Sequence, residues 1–555
     1  MSAPASPCST SQTNVETLLV VGVVLAAVTE AVASTVLALG RLDIIGDIYA
    51  TPDEFAWLDV GYTALKLIGF IIAPSLIARF NPLRLLLAST LAMGSSSALA
   101  AVSSHLDYLV VLRMVQGSAG GILLVAGQTL LFLKYPRRCQ PLVQAVFAMG
   151  AVVAPATIVP ALQGWLIDQQ SWTWIFLANV PITLAAIGVL IIAETKPPPI
   201  AARAPFDLLS TALLSAFLAC LTYILTQGSR WDWLEAARIR WLSLIAVAAL
   251  LAFAARIVLA PAARACDLRL FWDDGYAFAF IVSFVAGAAL FGSAYLIPSF
   301  SVSVLALTPT QAGGLLLPSA CLFIVSLLLA ALLIQRYGIS PIATVPFGIL
   351  LTMCAMWMLS GSTVQSGSDD MMCALMVRGL GLGFLFLSIT LVAFGSLSRS
   401  MLASGIGYFN VGRQLGGLIG VAYLQTLLDH QVMGNQAVLA ANVAAGMPAV
   451  TERLAGTTSI LMGRGMETLT AGKAALAILA RTVTAQSTVI AFDTAFISLA
   501  LLFVIAVPIV ITIKLGLSRA RLARQRWIAD AQRSEHSRPA VDDATRQLID
   551  ADRTP

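Results

Sequence analysis

Thr17-Leu-Leu-Val-Val-Gly-Val-Val-Leu-Ala-Ala-Val-Thr-Glu30-Ala-Val-Ala-Ser-Thr-Val-Leu-Ala-Leu-Gly40 holds 24 residues and one ionisable side chain, Glu30. At 1.5 Å of rise per residue, a helix of that length crosses the roughly 30 Å hydrocarbon core of a bilayer. The run is too long for the core of a signal peptide, no basic region precedes it, and no convincing cleavage site follows. It is read as a retained first span. A carboxylate at its middle costs about 2.5–3.5 kcal/mol on insertion scales, so Glu30 marks a candidate site.

Thirteen similar blocks follow, at about 55–78, 83–103, 107–133, 141–166, 174–193, 207–226, 240–260, 276–299, 310–335, 340–361, 371–396, 403–428 and 488–513. Hydrophobic residues make up 59% of the 555, charged residues 11%, and the mean hydropathy is +0.88. Soluble domains carry about 25% charged residues, so a water-soluble fold is excluded. Backbone groups in lipid must be satisfied within the segment, which makes each block a helix. The expected class is an all-α integral membrane protein of about 14 transmembrane helices.

An even count puts both termini on one side. Even-numbered blocks are followed by Arg79 and Arg84, by Lys134, Arg137 and Arg138, by Lys196 and Arg203, by Arg264 and Arg269, by Arg336 and by Arg399; the tail adds Lys514, Arg519, Arg521, Arg524 and Arg526. The opposite connections carry chiefly Arg41, Arg230 and Arg238. The positive-inside rule therefore predicts cytoplasmic termini. The net charge of +5 is accounted for by these orientation signals, and no nucleic-acid partner is expected. Seven cysteines show neither metal spacing nor a disulfide framework. There is no P-loop, no HExxH, no GxSxG elbow and no credible dinucleotide fingerprint, so neither direct ATP use nor an enzyme is expected.

The organisation reads as a cytoplasmic N-terminus at 1–15, a six-helix bundle at 16–195, a proline-rich linker at 196–206, two inserted helices at 207–265, a second six-helix bundle at 266–515 and a charged tail at 516–555. The second bundle carries a long outer connection at 429–487, expected to form short amphipathic helices. An internal repeat supports the division. Leu76-Ile-Ala-Arg79-Phe-Asn81 ends the second block as Leu333-Ile-Gln-Arg336-Tyr-Gly338 ends the tenth; Arg113-Met-Val-Gln116-Gly117 opens the fourth as Arg378-Gly-Leu-Gly-Leu-Gly383 opens the twelfth. Repeated halves facing a midplane site are the mark of secondary transporters.

Each intramembrane charge needs a partner or a role. Lys66 lies in the middle of the second block with Asp59 two turns away, and Glu30 on the neighbouring helix is its expected partner, either as a switch or as a static ion pair. Arg113 and Gln116 share a helix face, and an arginine there can tune or hold a nearby acid. Asn410, Arg413 and Gln414 form a polar turn followed by Gly416, Gly417 and Gly420, which suggest close helix approach. Asp493, near the start of the last block, is a weaker coupling candidate. Arg256 is expected to snorkel to the cytoplasmic surface. Gln128, with Pro155, Pro160 and Gly164, is assigned to the substrate cavity or helix packing, and Arg79, Arg84, Arg336 and Arg378 to conformational gating.

Several motifs in order carry a resemblance. Arg113-x-x-Gln116-Gly117 with Gly120-Gly121, Ala154-Pro155 through Pro160 and Gly164-Trp165, Ser171-Trp172-Thr-Trp174-Ile-Phe-x-x-Asn179-Val-Pro181, Gln227-Gly228 with Asp232-Trp233, Asp267-Leu-Arg-Leu-Phe271, and Asn410-x-x-Arg413-Gln414-Leu-Gly-Gly417 fall at the expected helices. Together they resemble the major facilitator superfamily, in its 14-span drug:proton antiporter branch of the EmrB/QacA type, over nearly the whole chain. The resemblance implies the major-facilitator fold, with two six-helix bundles plus two inserted helices that rock between inward- and outward-open states. It also implies proton-driven export of hydrophobic or amphipathic compounds across a bacterial inner membrane, without a cofactor. A periplasmic adaptor and an outer-membrane channel are implied partners, with 429–487 as a docking candidate. Two departures stand out. Pro74, Ala78 and Asn81 replace the first glycine, the aspartate and the last glycine of the family's loop after span 2, and Val159 and Gln163 replace glycines of the antiporter motif. A dedicated exporter of one metabolite or siderophore, and a transport-inactive sensor or assembly protein on this scaffold, remain open.

Overall fold

The computed structural model describes residues 10–37, 40–193, 207–259, 268–395, 397–443 and 447–506, with 508 and 512. The linker at 196–206, the tail at 516–555 and residues 1–9 lie outside the described residues. Among those described there is no strand. Long helices follow one another: α1 (Thr10–Thr35), α2 (Pro52–Ile77), α3 (Pro82–Ala101), α4 (Leu106–Lys134), α5 (Gln140–Gln169), α6 (Thr173–Ile192), α7 (Leu208–Gln227), α8 (Ala237–Leu259), α9 (Asp274–Ser303), α10 (Pro309–Tyr337), α11 (Pro341–Leu359), α12 (Ser368–Gly395), α13 (Leu402–Ala441) and α14 (Thr468–Ala506). All except α13 are long and apolar enough to cross a membrane. The polar turn Asn410–Gln414 and the glycines after it make α13 less apolar, yet Ile406, Phe409, Asn410 and Gly416 on it are buried in the core. The expected all-α fold class holds.

Helix starts follow local chemistry. Thr51 and Glu54 form a capping box ahead of α2, with Pro52 in the first turn. Asn81, which stands where the family's loop has a glycine, caps α3 by accepting a hydrogen bond from the Leu83 amide at 2.9 Å. Between α1 and α2 a short helix, Arg41–Ile48, lies where no element was expected. Pro155 and Pro160 withhold backbone donors within α5, and residues Met149–Ile158 adopt the wider π-helical pairing.

Small residues bring the helices together. A Cβ on Gly117 of α4 would lie 2.1 Å from the Tyr62 carbonyl oxygen of α2, and one on Gly416 of α13 would lie 1.9 Å from the Phe284 carbonyl oxygen of α9. The two bundles meet along α5 and α10, where a Cβ on Gly164 would lie 2.3 Å from the Pro309 carbonyl oxygen. They also meet at the end of the molecule that bears Arg79, Lys134 and Arg336, called here the basic end. There Gly407 of α13 faces Phe70 and Pro74 of α2, and the ring of Phe394 packs against Phe132 and Phe409 at 5.4 and 5.0 Å between centroids. The loop that departs from the family pattern thus sits beside a closure made of backbone and aromatic contacts.

The inserted pair packs at the periphery. Only 17% of the apolar window of α8 and 33% of that of α7 is buried, against 67% for α2 and α12. At the end opposite the basic one, the α7–α8 turn touches both bundles. Arg230 pairs with Asp53 of α2 at 3.0 Å, Ser229 Oγ donates to Asp429 of α13 at 2.7 Å, and Trp233 Nε1 donates to Thr426 at 3.2 Å. At the basic end, Arg256 reaches the terminus of α8 and donates through Nε and Nη2 to both carboxylate oxygens of Asp207, the N-cap of α7, at 3.1 and 3.0 Å. These bonds, with two from Ser210 through its hydroxyl and its backbone amide, hold the Asp207 carboxyl well below the usual carboxylate range. A depressed carboxylate stabilises the fold above its ordinary value near about 4, and that contribution is lost as pH falls through the folded-state value. Asp207→Asn is therefore expected to lower the melting temperature at pH 7, with the gap to the parent protein closing below about pH 4. Thermal unfolding in nanodiscs at the two pH values measures this.

The connection at 429–487 differs from its expectation. It is built mainly by extension of the flanking helices: α13 runs to Ala441, the helix Pro448–Gly463 follows, and α14 begins at Thr468. No proline interrupts 429–441 or 468–487, so nothing stops either helix at the membrane boundary. With 40 and 39 residues, α13 and α14 each exceed what a bilayer needs and project from it.

Candidate functional site

α1 carries Glu30 into the N-terminal bundle, where 1% of its surface is exposed. Gly120 of α4 makes the space, since a Cβ there would lie 2.9 Å from Glu30 Cγ. Lys66 of α2 forms an ion pair with Glu30 Oε1, and the Tyr62 hydroxyl donates to the same oxygen at 3.0 Å. Tyr62 precedes Lys66 by four residues and so shares its helix face. Its ring also carries the Arg113 guanidinium, 4.1 Å from the centroid. Arg113 Nη1 donates to the Ala33 carbonyl at 2.7 Å and to Gln116 Oε1 at 2.9 Å, while its Nε and Nη2 have no hydrogen-bond partner.

The network continues outward from the charges. Gln116 Nε2 and Asn179 Nδ2 both donate to Ser97 Oγ, at 3.2 and 3.0 Å, and Gln163 Nε2 donates to the Val32 carbonyl at 3.0 Å. Gln163, in place of a family glycine, therefore ties α5 to α1 two residues beyond Glu30. Asp59 shares the face of Lys66 but is solvent-accessible; the positive charges around it are Arg113, Arg41 and Lys66.

A second polar group lies between the bundles, toward the basic end from Glu30. Gln128 of α4, Gln144 of α5, and Asn410 and Arg413 of α13 line a cavity of about 20 Å³, room for about one water. Gln128 Nε2 donates to Gln144 Oε1 at 3.2 Å, and Arg413 Nη2 donates to Asn410 Oδ1 at 2.6 Å.

The remaining candidates are elsewhere. Pro155 and Pro160 shape α5, Gly164 packs on α10, Gly417 packs on Phe291, and Gln414 is partly buried on α13. Arg79, Arg84 and Arg336 are exposed at the basic end. Arg378 is fully buried in the C-terminal bundle, where it donates to Ser293 Oγ at 2.8 Å and Ser319 Oγ at 3.5 Å; it is no surface group. Asp493 is partly buried on α14, close to where the apolar block at 488–513 begins, and its Oδ1 has no hydrogen-bond partner. Sequence reasoning passed over Tyr62, Ser97 and Gln144. Tyr62 was accessible from its four-residue spacing to Lys66; Ser97 and Gln144 carry no such signal.

The family model described as Major Facilitator Superfamily matches residues 19–421. The chain belongs to that superfamily. It is a multi-pass membrane transporter of small molecules. The Colistin resistance protein EmrB of Acinetobacter baumannii is 28% identical over 387 residues, 68% of this chain and 74% of that protein. The Multidrug resistance protein B homolog of Mycobacterium tuberculosis is 28% identical over 427 residues, covering 77% and 78% of the two chains. The Multidrug export protein EmrB of Escherichia coli K12 is 26% identical over 431 residues, covering 77% and 83%. In this transporter the matched region runs from α1 into α13 and includes both polar groups.

Proposed function

We propose that this transporter is a proton-driven exporter of hydrophobic or amphipathic compounds, seated in a bacterial inner membrane with both termini cytoplasmic. The observation that carries the reading is the buried Glu30–Lys66 pair, bridged by Tyr62 to Arg113. A proton on Glu30 cancels its charge and leaves Lys66 unpaired in a low-dielectric interior, so protonation changes which arrangement of α1, α2 and α4 is favoured. No cofactor enters; the proton motive force supplies the energy. The names of the relatives support drugs and toxic compounds as cargo. The projecting ends of α13 and α14 are the surface available to a periplasmic adaptor linked to an outer-membrane channel. The intact charge network favours transport over a transport-inactive role.

Proteoliposomes with an acid lumen test this, using two lipophilic fluorophores, cationic ethidium and anionic 1-pyrenebutyrate. At least one is expected to accumulate beyond protein-free liposomes and to be released when nigericin collapses the gradient. Accumulation of neither above that control overturns the proposal.

A further inference from the structure

We infer that the cavity between Gln144 and Arg413 is a binding subsite for the acidic head of an organic anion, such as a carboxylate, phenolate or sulfonate on an amphipathic cargo. The inference rests on the export reading and names the cargo class for the inter-bundle cavity.

The argument begins with charge. Glu30 and Asp59 are the carboxylates near Lys66 and Arg113 of the N-terminal bundle; Asp59 lies among Arg113, Arg41 and Lys66, and Glu30 is already engaged by Lys66 and Tyr62. Arg413 feels its field but has no carboxylate partner among the described residues, and no carboxylate lines the cavity. Its contacts are one hydrogen bond to Asn410 and the ring of Phe386 at 6.0 Å. A guanidinium carries five N–H donors in a planar fork that suits a two-oxygen acid.

The hydrogen-bond inventory points the same way. Asn410 Oδ1 is taken by Arg413, Asn410 Nδ2 by the Ile406 carbonyl, and Gln144 Oε1 by Gln128. Gln144, 2% exposed, is left with Nε2 as a buried donor without a partner. Leaving such a buried donor unsatisfied is costly, and a ligand oxygen at the site relieves that cost. Around this donor-rich pole the walls are apolar: Leu124, Phe147, Val152 and Phe386. A pole of donors set in apolar walls fits an amphipath whose polar end is an acid. The cavity accepts little more than one oxygen as it stands, so the cargo's apolar body enters when the bundles part. Arg413 lies on α13, while Gln128 and Gln144 lie on α4 and α5, so a bound acid touches both bundles.

The test is equilibrium binding to the full-length protein in phosphatidylcholine nanodiscs without a gradient. The probes are 1-pyrenebutyrate and pyrenebutyl-trimethylammonium, which share a ring and differ in charge. The parent protein is expected to bind the anion on the order of tenfold more tightly than the cation. Arg413→Gln is expected to abolish that preference, Arg413→Lys to retain part of it, and Gln144→Leu to weaken anion binding several-fold, with thermal unfolding checking that each variant is folded. Equal binding of the two probes by the parent, or an unchanged preference in folded Arg413→Gln, overturns the inference. A tenfold loss of anion affinity when phosphatidylglycerol is added assigns the site to a lipid head group and overturns the cargo assignment. Binding that depends on Arg413 in a protein that shows no gradient-driven transport leaves the subsite standing and overturns the export reading alone.

Discussion

Glu30→Gln is expected to abolish pH-gradient-driven transport, lowering the initial rate in proteoliposomes by roughly 100-fold, equivalent to about 2.7 kcal/mol. The amide keeps the size of the side chain and can still accept from Tyr62, but it cannot exchange a proton. It also leaves Lys66 buried without an anion, and breaking a buried pair by removing one partner costs about 3–5 kcal/mol. Lost transport in the single variant therefore has two causes, coupling and stability. Glu30→Gln with Lys66→Met separates them. The double variant removes both charges from a site where Lys66 is 6% and Glu30 1% exposed, and is expected to recover most of the melting temperature without recovering transport. If it recovers both, the pair is a static packing element and the proton is carried elsewhere, with solvent-accessible Asp59 the next residue to test. If Glu30→Gln alone transports at the parent rate, proton coupling at this site is wrong.

The fold was legible because membrane insertion writes itself into single residues. Blocks such as Thr17–Gly40 must be helices, and the repeats around Arg79 and Arg336 identify two halves. Where the reading fell short, hydropathy was silent. The helical extensions of α13 and α14 lie outside the bilayer, so their composition follows solvent rather than lipid, and no proline marks where either helix leaves the membrane. The Glu30–Lys66 pairing was readable because two opposite charges in neighbouring spans have few other ways to exist. The surroundings were not readable to the same degree. Gln144 sits in an apolar run with nothing in its local sequence to set it apart, and it shares a cavity with Arg413 through the packing of two halves far apart in sequence. Asn81 looked like the loss of a motif position, yet it caps α3; an alignment to a pattern records the departure without the local role.

Gly117→Ala tests whether the charge site depends on how closely α2 and α4 approach. The added methyl would lie 2.1 Å from the Tyr62 carbonyl oxygen and 2.8 Å from its carbonyl carbon, which are backbone atoms that no rotamer change can move. A tolerable carbon–oxygen separation is above about 3 Å, so α2 must shift by roughly 1 Å or the helices must part. The shift falls at Tyr62, whose hydroxyl holds Glu30 and whose ring carries Arg113, and four residues from Lys66. No charge is altered, yet every distance in the network is. Overpacking of this kind costs about 1–3 kcal/mol and occasionally more, and the expected result is a lowered melting temperature together with transport reduced at least about tenfold. Gly120→Ala is the informative neighbour. Its methyl would meet the Glu30 side chain at 2.9 Å, not backbone, so Glu30 can turn aside; transport is expected to fall with a smaller loss of stability. Gly188→Ala on α6, with nothing within 4 Å of the added carbon, serves as the control and is expected to leave both measurements unchanged. Parent-like transport in a folded Gly117→Ala protein would show that the contact between α2 and α4 is slack, and that Lys66 and Tyr62 reach Glu30 without depending on it.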